Sequence, residues 1–103
     1  MKEFDKIWNE AREAASTTVQ EPHIFKGCGF AWITIPGRGN FAKWAKENLD
    51  ADKNYTGPGL NIWYSRVYDT RSQNLDEHYE ACRKAAKILN DYGIDATVNC
   101  RWD

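Results

Sequence analysis

Cysteine is scarce in this chain of 103 residues, and its spacing is unhelpful to the usual frameworks. Cys28, Cys82 and Cys100 are odd in number and form no CxxC pair, which argues against a disulfide scaffold or a zinc knuckle. No apolar run approaches the ~20 residues that cross a bilayer, and no secretory leader is recognisable. A reduced cytoplasmic setting without membrane contact is therefore expected. Histidine is limited to His23 and His78. Neither stands in a nucleophile elbow, a zinc-binding helix or a Cys–His signature, and His78 is expected on an exposed helix face among Asp76, Glu77 and Glu80. No catalytic residue, cofactor or metal site is expected. The net charge of −1 also removes the global basic signature of nucleic-acid binding.

What the chain does have is aromatic residues, 14% of the total with five Trp and five Tyr. Such residues bury large areas in a small core and also anchor interfaces. Charge is uneven along the sequence. Residues 22–72 carry seven bases against four acids, while each flanking segment sums to −2. A mildly positive centre suits a phosphate or an acidic protein surface, and equally a solvated face.

Phe4, Ile7, Trp8, Ala11 and Ala15 recur at helical spacing and predict an amphipathic helix over residues 2–16. His23-Ile24-Phe25 reads as a short edge strand. Cys28 to Ile35 reads as a strand that is apolar on both faces, ended by Pro36-Gly37, with Asn40 as the N-cap of a second helix presenting Phe41, Trp44, Ala45 and Leu49. Residues 50–58 read as a loop and Leu60 to Val67 as a second strand. The third helix starts near Leu75 with a stripe of Leu75, Tyr79, Cys82, Ala86 and Leu89. Gly93 and Ile94 form its C-terminal cap. The last strand, Ile94 to Trp102, turns Ala96, Val98 and Cys100 inward. The expected fold is one α+β domain over 1–103: a two-layer sandwich with a three- to four-stranded sheet and helices mainly on one face. Within it, 1–26 is an N-terminal helix with its connector, and 27–103 the sheet–helix core.

With one face of the sheet given to the helices, the other shows Phe30, Trp32, Asn61, Trp63, Ser65, Thr97, Asn99 and Arg101. Aromatics beside an arginine and amides can stack bases or anchor a protein partner, unless the first helix folds over them as core. Self-association into a homodimer through Trp32 and Trp63 is a further use. Gly37-Arg38-Gly39-Asn40-Phe41-Ala42 fits G-x-G-x-x-A at a strand-to-helix turn. It reads either as an anion pocket at a helix N-terminus or as a plain turn. Arg66 and Arg71 lie on a polar stretch that could frame an edge of the site. The candidate binding residues are thus Phe30, Trp32, Arg38, Trp63, Arg66, Arg71 and Arg101.

Cys28-Gly29-Phe30-Ala31-Trp32, Phe41 in a short helix, Tyr55-Thr56-Gly57-Pro58-Gly59, an Ala-rich helix ending Tyr92-Gly93-Ile94, and a final Arg101-Trp102-Asp103 together resemble a group of small phage-encoded proteins of unassigned function. The likeness covers most of 27–103 and carries over no site residues. It implies a phage accessory protein in a host bacterial cytoplasm, inhibiting a host defence system in the manner of an anti-CRISPR by binding a defence protein or ribonucleoprotein complex. The alternative is a nucleotide or nucleic-acid binder, such as a sponge for a signalling nucleotide. It would stack its ligand on the aromatics and hold phosphate at the Gly37–Asn40 turn.

Overall fold

Ile33 and Ile62 are wholly buried and Ile35 is 2% exposed, which identifies the core side of the sheet. These residues belong to a computed structural model that describes residues 2–17, 29–54, 57–68 and 75–102. The elements in order are α1 (Lys2–Ser16), β1 (Gly29–Ile35), α2 (Asn40–Asn48), β2 (Asp52–Lys53), β3 (Leu60–Trp63), α3 (Tyr64–Val67), α4 (Leu75–Asp91) and β4 (Thr97–Trp102). The four strands form one open sheet in the order β2-β3-β1-β4, and every adjacent pair is antiparallel. From β1 onward, leaving aside the single turn α3, the order is βαββαβ. This split βαβ arrangement places β1 and β3 at the centre.

Helix α4 lies on β1 and β4, and α1 lies along α4. Ala81, Cys82, Ala85 and Ala86 on α4 are buried, and these small side chains let helix and sheet approach closely. Ile7, Trp8, Ala11 and Ala15 of α1 join the same cluster, as do Phe41, Ala42 and Ala45 of α2. Phe4 closes it by meeting Phe41 edge-on at 5.3 Å between ring centres. The two-layer α+β architecture is therefore as the patterning predicts, with α1 in the helical layer and not over the aromatic face.

Several boundaries differ from the sequence reading, each for a local reason. The α2 cap is Gly39, not Asn40: Gly39 takes φ 94° and no side chain caps the helix, so Asn40 is already its first residue. The strand from Leu60 stops at Trp63. The next four residues curl into α3, and Val67 and Tyr68 are both buried in the core, where a continued strand would turn them to opposite faces. The fourth strand is β2, inside the expected loop, and it pairs Asp52 and Lys53 with Asn61 and Leu60. The His23–Phe25 strand lies outside the described residues. After α4 the expected cap forms: Ile94 N–H donates to Leu89 C=O and Gly93 N–H to Asn90 C=O, both at 2.9 Å. The Asn90 amide then clamps the Ala96 backbone through two bonds of 3.0 Å. Ala96 is thus held outside the ladder and β4 begins only at Thr97.

Because α4 is wedged between the sheet and α1, its buried face is wider than a single stripe. Glu77 and His78 are inside, and Tyr79, expected in the stripe, is 39% exposed. Strand β4 is an edge, roofed only over its first half: Val98 is half-buried and Cys100 is exposed rather than inward. The two described thiols should consequently differ. Burial pushes the Cys82 thiol up to about 12, so at neutral pH it stays protonated and unreactive. In a Cys28→Ser background, iodoacetamide should label Cys100 in the native protein and Cys82 only in denaturant, as peptide masses would read. Native-state labelling of Cys82 would contradict this packing.

Candidate functional site

Side chains alternate along a strand, so burying Ala31, Ile33 and Ile35 turns Phe30, Trp32 and Thr34 of β1 to the opposite face. The register sets their neighbours. Trp32 stands between Trp63 on β3 and Asn99 on β4; Phe30 is opposite Arg101; Thr34 is between Asn61 and Thr97. At the far margin Asp52 is opposite Asn61. The rings form a contiguous group: Trp32 and Trp63 are 5.2 Å apart between centres, and Phe30 meets Trp63 edge-on at 6.3 Å. Trp63, at 36% exposure, is the most open of the three. Phe30, Trp63, Tyr64, Ser65 and Arg101 line an open cleft of ≈ 440 Å³ at this end of the sheet. No helix among the described residues packs over this face.

Beside the rings runs a row of hydrogen bonds. Asn99 Nδ2 donates to Thr34 Oγ1 at 3.0 Å, and the Thr34 hydroxyl donates to Asn61 Oδ1 at 2.8 Å. Asn61 Nδ2 is 3.5 Å from Asn54 Oδ1, and Asn54 Nδ2 donates to Pro58 C=O at 3.2 Å. The face is therefore half aromatic and half amide and hydroxyl, with Arg101 at one margin and Asp52 at the other.

The expected site residues divide accordingly. Phe30, Trp32, Trp63 and Arg101 come together. Arg66 lies on α3 and is paired with Asp50. It faces a different hollow, shared with Asp5, Trp8, Arg12 and Trp44 between the helices. Ser65 likewise has left the strand for α3. Arg38 follows the end of β1 opposite Phe30, where the Gly37 turn rests against Gly59. At ~3.3 Å per residue, Phe30 and Ile35 are roughly 17 Å apart along the strand. The Gly37–Asn40 turn is thus not brought together with Phe30 and Arg101, while Trp32 lies nearer to it, about 10 Å from Ile35 along the strand. Arg71 and His23 lie outside the described residues. Thr34, which links both amides, is absent from the sequence-level site, although the same alternation that selects Phe30 and Trp32 selects it.

His78 requires the largest correction. It is wholly buried and stacks on Tyr64 with 3.8 Å between ring centres and 16° between planes. The Tyr68 hydroxyl donates to Glu77 Oε2 at 2.7 Å and lies 2.9 Å from His78 Nδ1. A hydroxyl has one proton to give, so with Glu77 as its acceptor it takes the Nδ1 proton of His78 as a hydrogen bond. His78, Tyr68 and Glu77 are all 5% exposed or less. They knit α3 and the residue after it to α4. Among the described residues no group of His, Cys, Asp or Glu side chains is placed to hold a metal, and no helix is long and apolar enough to cross a membrane.

Fold and site together define a class: a split βαβ sandwich whose open sheet face carries aromatic rings and oriented amides. No protein-family model, curated protein or solved structure matches the chain, so the geometry carries the functional argument by itself.

Proposed function

We propose that the chain is a binding protein that holds a short single-stranded nucleic acid on the open face of its sheet. The observation that carries this reading is the contiguity of Phe30, Trp32 and Trp63 on the two central strands, next to the Asn99–Thr34–Asn61 row. Unstacked bases offer a π-face for the rings and donor–acceptor edges for the amides, and an open four-stranded sheet can hold two or three of them at once. Arg101, opposite Phe30, supplies a cation for one phosphate. A protein-binding patch would have its apolar residues at the centre and its polar ones at the rim. Here a polar row crosses the sheet beside the rings, which suits base edges better than a protein side-chain cluster.

The charge sets the expected character of the complex. The chain carries −1 overall, and Arg101 is the one cation among the described open-face residues of the three longer strands. Stacking therefore provides most of the affinity. Fluorescence anisotropy with a labelled single-stranded octamer should show saturable binding, with log K falling against log salt at a slope of about −0.7. Duplex of the same sequence should bind far more weakly because its bases are already stacked. Absence of octamer binding, or equal affinity for duplex, would overturn the reading. Retention of a host protein instead would restore the protein-partner expectation.

A further inference from the structure

We infer that Asn99 reads the edge of a base stacked on Trp32 and favours adenine. This rests on the open face being the nucleic-acid surface, and it goes further by naming the base and the residue that selects it.

The Pro58 carbonyl can only accept, so the Asn54 side chain must present Nδ2 to it. That leaves Asn54 Oδ1 facing Asn61, whose Nδ2 is 3.5 Å away. Asn61 then faces Thr34 with its oxygen and accepts the hydroxyl proton at 2.8 Å. The Thr34 hydroxyl, its proton spent, can only accept from Asn99 Nδ2, 3.0 Å away. Four side chains in series thus fix which end of the Asn99 amide points into the sheet. Its nitrogen is tied down by one hydrogen, leaving Oδ1 and the second N–H for a ligand. Asn99 is exposed and directly opposite Trp32 in the register, where cross-strand Cβ atoms are about 5 Å apart. A base lying on the Trp32 ring would have its edge at this amide.

An amide offering an acceptor beside a donor is complementary to adenine, whose exocyclic N6–H donates while the adjacent ring nitrogen accepts. Adenine presents that pair on both its Watson–Crick and its Hoogsteen edge, so two stacked orientations satisfy Asn99. Guanine offers such a pair on its Watson–Crick edge, N1–H beside O6, but two acceptors on its Hoogsteen edge, and a pyrimidine likewise has only one such edge. Because the amide is held before the ligand arrives, little ordering is needed on binding.

The test compares single-stranded DNA octamers of deoxyadenosine, deoxycytidine and thymidine, titrated against the full chain and against Asn99→Ala and Thr34→Val. The full chain should bind the adenine octamer about tenfold more tightly than either pyrimidine octamer. Asn99→Ala should weaken adenine binding the most and so bring the three affinities close together. Thr34→Val keeps the side-chain shape but unties the amide, and should lose part of the preference. Equal binding of all three octamers by the full chain, or an adenine preference that survives Asn99→Ala, would overturn the inference and leave the open-face reading standing. Failure of every octamer to bind would overturn both.

Discussion

Trp63→Ala should weaken binding of a single-stranded octamer by about ten- to a hundredfold, since each base stacked on an aromatic ring contributes roughly 1–3 kcal/mol. The ring is well placed for this role. It sits at the end of β3, is the most exposed of the three face aromatics at 36%, and touches both Phe30 and Trp32. It also lines the cleft shared with Arg101. Removing it takes away stacking surface and loosens the two remaining rings. The fold should survive, because the core lies on the other side of the sheet around Ile33, Ile62 and Leu89. The expected stability cost is about 1 kcal/mol for the lost ring–ring contacts. Trp63→Phe should recover most of the affinity. Affinity unchanged in Trp63→Ala, with the folded spectrum intact, would place the ligand elsewhere.

Gly59→Ala should cost about 3 kcal/mol or more, a large share of the roughly 5–15 kcal/mol that holds a domain folded. Two effects combine. Gly59 has φ 108°, a conformation costing an L-residue about 1–3 kcal/mol. A Cβ there would also stand 2.4 Å from the carbonyl oxygen of Ile35 and 3.2 Å from Thr34 Cγ2. The first of these is backbone of the central strand, paired at that point with Leu60, and cannot retreat without opening the β1–β3 ladder. Gly39→Ala is the control. Its φ is 94°, yet a Cβ there meets nothing within 4 Å, so strain acts alone. Chemical denaturation of the two variants should show Gly59→Ala the more damaging by well over 1 kcal/mol. Equal losses would mean that the close approach of Gly59 to β1 is wrong.

Local pattern made most of the fold legible. The apolar spacing in residues 2–16, the alternation in β1 and the Gly93-Ile94 cap each act within a turn or two of chain, and each is where the residues predict it; β4 begins three residues later than its pattern predicts. What escaped the sequence depends on contacts far apart in it. Tyr64 could continue the alternation of β3 as a strand residue, but it turns into α3 because His78, fourteen residues on, offers a ring to stack against. His78 itself looks solvated among acids, and nothing in the local pattern shows that Tyr64 and Tyr68 pack against it. The aromatic half of the site followed from alternation alone. Alternation also placed Asn61 and Asn99 on this face, but not their linkage: the Asn54–Asn61–Thr34–Asn99 series joins three strands and the β2–β3 turn, and sequence spacing carries no trace of that. The arginines misled for the same reason: Arg38, Arg66 and Arg101 are alike in sequence, and topology sends them to different sides.

The most direct test of the open-face account is an NMR titration of ¹⁵N-labelled protein with the single-stranded adenine octamer. The account predicts shifts concentrated at the backbone amides of Phe30, Trp32, Thr34, Trp63 and Arg101, the Trp32 and Trp63 indole N–H signals and the Asn99 side-chain amide, with α1 and the exposed side of α4 unmoved. Shifts centred on Arg38 to Lys43 or on the hollow around Arg12 and Arg66, or a spectrum unchanged at millimolar oligonucleotide, would contradict it.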